Sequence, residues 1–236
     1  MSEKSSKNVA FVAIGAMVVL ASTVLVLVMR LPEIVGLGSR AKLPIFHGAS
    51  TWVDLMLFVL MGVTALYFVV RRDDAVYAWE VGLRTVAMPL WAINSVLGVV
   101  AALSTWDLTG STESPLMVVR SDPRLTAQVV LLFGIAMVLM LDWLVLESRV
   151  HKAFLDIVFV AAAAFVLSDI FLDPAKRALH PDSPVLNSGW DIKLPFFGIV
   201  AAWFACMLVG AWFVRHIVGR RAASGDAALD ARIPIT

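Results

Sequence analysis

The chain is 236 residues long, 60% hydrophobic and only 16% charged, with a formal net charge of +1 and a mean hydropathy of +0.87. Soluble domains are about half apolar and about a quarter charged, so folding in water would leave broad apolar areas exposed and prone to aggregate. The composition therefore excludes an ordinary soluble domain, and the near-zero charge offers no basic surface for nucleic acid.

Lipid is the expected solvent, and the expected fold class is all-α: a polytopic bundle of six transmembrane helices. Crossing a hydrocarbon layer of about 30 Å takes roughly 20 apolar residues. Six segments meet that length, at 9–29, 52–70, 81–103, 125–146, 154–172 and 194–214. The first follows Lys4 and Lys7 as a signal peptide would. It is too long for a signal core and has no small-residue cleavage site before Arg30, so it reads as the first membrane helix. No period-two alternation suggests a barrel, and Pro89 predicts a kink in the third helix. The expected organisation is an N-terminal segment 1–8, a membrane domain 9–216 and a disordered small-residue tail 217–236.

The connections at 30–51, 104–124 and 173–193 are long, and those at 71–80 and 147–153 are short. With six crossings, the long loops share one face and both termini share the other. Trp52, Trp79, Trp106, Trp190 and Trp212 fall near helix ends, where interfacial rings are favoured. Eleven of the nineteen Lys and Arg residues fall on the face of the termini and short loops. That bias points the termini to the cytoplasm and the long loops outward across the cell membrane.

The single cysteine, Cys206, sits in an apolar run and reads as a buried small residue. Without CxxC or CxxCH there is no covalent haem attachment of the c type. No phosphate-binding glycine loop and no nucleophile–base pair can be placed, so the chain reads as a non-enzyme. The four histidines divide two and two. His47 lies in the first long loop, just before the second helix, and His180 in the third. His151 and His216 lie at the opposite face. Neutral imidazoles ligate haem iron well. Two of them on separate long loops can meet over the bundle, or they can be ordinary loop residues. Among the acids within the spans, Asp142 and Asp156 are expected to pair with Arg84 or Arg149, because unpaired charge in lipid is costly. Asn94 and Gln128 are expected to bond between helices.

Three segments carry a resemblance. Ile45-Phe46-His47-Gly48-Ala49-Ser50-Thr51-Trp52 resembles the His-Val-Pro-x-Ala-x-Trp segment that opens the second helix of the CcmC/CcsA cytochrome c assembly family. Ser121-Asp122-Pro123-Arg124-Leu125-Thr126 is similar to that family's W-D-x-R-L-T run entering the fourth helix, and Ala178-Leu179-His180-Pro181 to its T-L-H-Q segment. The three occur in the family's order, and the resemblance covers most of the chain from about 45 to 215. The resemblance implies non-covalent haem b at the outer face, with His47 and His180 as axial ligands. Arg124 and Arg120, in the loop over that site, suit haem propionates through the bidentate guanidinium fork. Trp106 is what remains of the family's tryptophan-rich stretch, and Asp122 and Asp107 would orient ligands or pair with the arginines. That stretch is otherwise replaced by residues 116–121, and Val-Pro by Gly48-Ala49.

Three functions remain in play. The first is haem handling, with a transporter complex or a haem acceptor such as a cytochrome as partner. The second is a haem b electron-transfer subunit of a larger respiratory-type complex, with a second haem on His151 and His216. The third is a membrane anchor without cofactor.

Overall fold

The structure, a computed structural model, describes residues 3–34, 36–106, 112–172, 185 and 188–230. Among the described residues there are seven α-helices: α1 (Glu3–Met29), α2 (Lys42–Arg71), α3 (Asp74–Thr105), α4 (Pro115–Arg120), α5 (Pro123–Leu144), α6 (Arg149–Leu172) and α7 (Trp190–Asp230). All but the short α4 are long and apolar enough to cross a membrane. The protein is a six-helix membrane bundle, as its composition requires.

Side-chain hydrogen bonds set two helix starts. Asp73 accepts from the N–H of Ala75 at 2.7 Å and of Val76 at 3.3 Å, capping α3. Asp122 accepts from the N–H of Arg124 at 2.7 Å, capping α5, and Pro123 fills the first helical position, where no N–H is needed. The α2–α3 reversal is a tight turn in which Arg72 adopts the left-handed conformation (φ 56°) and donates its N–H to Phe68 O.

Helices α2 and α3 form the centre of the bundle. α2 packs on α3, α6 and α7; α5 closes against α6 and α3; α1 lies outside, along α7. The main core joins Leu57 and Met61 of α2, Met88 and Trp91 of α3, Ile135 of α5 and Phe159 of α6. Small residues set the closest approaches, as is common where lipid removes the hydrophobic drive between helices. Gly62 meets Val160 of α6, and Gly82 meets the backbone of Ala211 in α7. Large apolar side chains such as Phe11, Phe133 and Phe165 point away from the protein, as lipid contact demands. Cys206 is buried.

Two boundaries move furthest from those read from hydropathy, and one further helix appears. α2 begins at Lys42 rather than at residue 52, because Leu43 and the buried Ile45 extend its apolar face and Pro44 falls in the first turn, where it is tolerated. α7 continues through Asp230, where the sequence predicts a disordered tail from 217. Alanine and leucine there are good helix formers. α4 is an unexpected helix in the second long loop, anchored by the buried Val119. α3 runs unbroken through Pro89.

At the end of the bundle with the short turns (the turn end), Arg149 Nη1 lies 2.9 Å from Asp74 Oδ1, with side chains 48% and 72% exposed. Such exposed pairs contribute little. Arg149→Ala is expected to lower stability by less than about 1 kcal/mol, read as the thermal unfolding midpoint in detergent.

Candidate functional site

The notable polar face of the bundle lies on the first half of α2. His47, Ser50, Thr51 and Asp54 recur at spacings of three and four, which put them on one side of a helix. That side turns inward, against α3: Ser50 is buried at 1% exposure and Asp54 at 0%. His47 thus lies inside α2 rather than in the loop before it, a correction that follows from the early start of the helix.

Asn94 of α3, itself buried, is the hub. Its Nδ2 donates to Thr51 Oγ1 at 3.0 Å and to Asp54 Oδ2 at 3.0 Å. The Thr51 hydroxyl donates in turn to the His47 carbonyl at 2.9 Å. Both amide protons of Asn94 are therefore used, and its Oδ1 faces His47 Nδ1 at 2.9 Å. Nδ1 must be the donor in that bond. In the neutral ring this leaves Nε2 as the nitrogen that carries the lone pair, the tautomer a metal-ligating imidazole needs.

Gly98 sits one turn along α3 from Asn94. A Cβ there would lie 2.8 Å from His47 Cε1, 3.1 Å from Nε2 and 3.3 Å from Gln128 Oε1. The glycine lets the imidazole lie against the α3 backbone and brings it beside α5. Ser50 Oγ accepts from Trp203 Nε1 of α7 at 3.2 Å, so the polar face also contacts α7.

Arg124, Asp122, Trp106 and Arg120 lie at the same, loop-bearing end. Arg124 is in the first turn of α5, one turn before Gln128. Asp122 is buried and acts as the α5 cap, a structural role that occupies Oδ1; its Oδ2 has no hydrogen-bond partner. Trp106 is half-buried and ends α3, donating its backbone N–H to Ala102 O. Arg120 ends α4 and stays exposed. His180 and Asp107 lie outside the described residues. At the turn end, His151 is exposed in the first turn of α6, and His216 stacks on Trp212 with its Nε2 buried and without a hydrogen-bond partner. Among the described residues α6 and α7 share no packing.

Sequence reading identified His47, Asn94 and Gln128 separately. Their assembly, and the parts of Ser50, Thr51 and Gly98, depend on how α2 registers against α3. The 47/50/51/54 spacing was the available signal.

No protein-family model matches the chain, and a search of curated proteins finds no significant match. Among the described residues no group of three or more His, Cys, Asp and Glu is placed to hold a bare metal ion. Haem iron is already held by its porphyrin and takes only axial side chains from the protein.

Proposed function

We propose that the protein binds haem b at the loop-bearing end of its membrane bundle, in the manner of the CcmC/CcsA cytochrome c assembly family, with His47 and His180 as axial ligands. The observation that carries this reading is the hydrogen bond from His47 Nδ1 to Asn94 Oδ1 at 2.9 Å. It holds the ring and makes Nε2 the ligating nitrogen, the arrangement in which a buried partner fixes a metal-binding histidine. The donor set fits haem on this side: one oriented imidazole, with Arg124 and Arg120 at the same end for propionate carboxylates. The three motif likenesses supply the second ligand, His180.

Haem, when bound, supplies a redox-active iron that can be passed on or reduced in place. The chain's own part is to orient. Asn94 sets the imidazole, Asp54 and Thr51 hold Asn94, and Gly98 admits the ring. Trp106 contributes an aromatic wall, and Asp122 fixes the α5 terminus that carries Arg124. The lysine and arginine bias supports termini in the cytoplasm and this site at the outer surface of the cell membrane. No chemical transformation is assigned to the chain. Its partners would be the lipid bilayer, further membrane subunits and a haem acceptor such as a cytochrome.

Oxidised and dithionite-reduced absorption spectra with a pyridine haemochrome count, on protein purified in mild detergent, test this. One b-type haem is expected, lost in both His47→Ala and His180→Ala. Two haems, one surviving those substitutions, would replace the reading with a transmembrane electron-transfer subunit. No haem, even with haem supplied during expression, would overturn both ligand assignments and leave a membrane anchor.

A further inference from the structure

At the turn end, away from the polar face just described, α3, α5 and α6 bury a second group of charges. Arg84 of α3 lies at its centre, with Nη1 3.4 Å from Asp142 Oδ1 of α5 and 3.4 Å from Asp156 Oδ2 of α6. Its Nε is 3.9 Å from Glu80 Oε1, one turn earlier on α3. Lys152 Nζ closes the group at 3.0 Å from Asp142 Oδ1. Pairing of Asp142 and Asp156 with Arg84 is what the sequence predicts, whereas Glu80 goes unnoticed there.

Two features do not fit a set of plain ion pairs. First, the charges do not balance. Glu80, Asp142 and Asp156 bring three carboxylates, and Arg84 and Lys152 bring two cations. The other charges nearby do not change this. Arg149 is paired with Asp74 at the surface, Arg71 and Arg72 of α2 are exposed, and Arg215 of α7 lies over the Trp79 ring, 4.9 Å from its centroid. A net negative charge would remain at a site where Glu80 and Asp156 are both 0% exposed, and uncompensated buried charge is among the costliest arrangements in a protein.

Second, the carboxyl groups of Glu80 and Asp156 converge on the one Arg84 guanidinium, yet none of their four oxygens has a hydrogen-bond partner. Two adjacent carboxylates can only repel. One proton between them makes one oxygen a donor to the other group, pairs two of the four oxygens and cancels the excess charge. Like charges side by side in a buried site cannot both ionise readily, which is how carboxyl dyads come to share a proton.

We propose that Glu80 and Asp156 form a proton-binding site, a carboxylic acid–carboxylate pair that holds one shared proton with Arg84 as its counter-ion. Asp142 and Lys152, with side chains 23% and 21% exposed, connect the pair to water at this end of the bundle, from which the proton is taken. The neutral group then joins α3, α5 and α6.

Infrared spectroscopy of the full-length protein in detergent at neutral pH tests the assignment through the carbonyl stretch of a protonated carboxylic acid, which an ionised carboxylate lacks. Wild-type protein is expected to show this band in excess over both Glu80→Gln and Asp156→Asn. Either substitution leaves two carboxylates against two cations, so no proton is needed, and the amide supplies the missing donor and preserves the fold. Loss in both variants, with thermal midpoints close to wild type, supports a shared proton. Loss in one variant only would assign an ordinary protonated acid and overturn the sharing. A band unchanged in both variants would overturn the site, as would its absence from the wild type, a readout that needs no variant to fold.

Discussion

Gly82→Ala is expected to be the most disruptive conservative substitution in the bundle. A Cβ at this position would collide with the Ala211 carbonyl oxygen and lie 3.2 Å from its carbon and 3.4 Å from the Arg215 nitrogen. All three are backbone atoms, so no side chain can rotate aside. α7 would have to move bodily off α3, and α1 moves with it, since α1 packs chiefly on α7. Overpacking of this kind costs about 3 kcal/mol. The expected result is a fall of several degrees or more in the thermal midpoint in mild detergent, or loss of the monodisperse species. Gly15→Ala is the matched control, since nothing lies within 4 Å of its Cβ position. Its midpoint should stay level or rise slightly, because alanine is the better helix former. Equal midpoints for the two variants would mean that α3 and α7 are not in this close contact.

Asn94→Leu is expected to have the second largest effect, for a different reason: the branching and number of side-chain heavy atoms are kept and the hydrogen bonds are lost. Asn94 donates to Thr51 and Asp54 and accepts from His47. Removing it leaves three groups without this partner at a site where Asp54 is fully buried. A single orphaned buried polar group costs about 1–3 kcal/mol, so a loss of about 3 kcal/mol in total is expected. The variant also releases the His47 ring. Loss of such a supporting partner typically weakens metal binding about 10- to 100-fold, so haem occupancy should fall even where folded protein is recovered. A stable Asn94→Leu protein with wild-type haem content would show that the network neither supports the bundle nor orients the ligand. A destabilised variant that keeps its haem would separate the two roles.

The turn-end charges repay the same comparison. Arg84, Asp142 and Asp156 are conspicuous in the sequence because they interrupt apolar runs, and pairing is the cheapest way to bury them. Glu80 lies four residues before Arg84 and passes for the near half of a local helix pair. That it meets Asp156 is a fact of the α3–α6 approach. The surplus of acid over base becomes visible only when the members of the group are known.

The sequence by itself determined the solvent, the helical class and the number of crossings. Each follows from local composition: a run of some 20 apolar residues can satisfy its backbone in lipid only as a helix. The buried placement of Cys206 follows from the same local rule, whereas the capping roles of Asp73 and Asp122 emerged from the structure. The tertiary structure decided where α2 starts, and so moved His47 from a loop into a helix. Hydropathy marks the lipid-crossing core of a span, whereas a helix continues as long as its face finds a partner, here Ile45 against the α1–α7 side of the bundle. It also decided that His47, Thr51, Asp54 and Asn94 form one hydrogen-bonded unit and that Gly82 and Gly98 are contact positions. Those outcomes depend on register and rotation between helices, set by packing between residues forty or more positions apart, and no local window of sequence contains them.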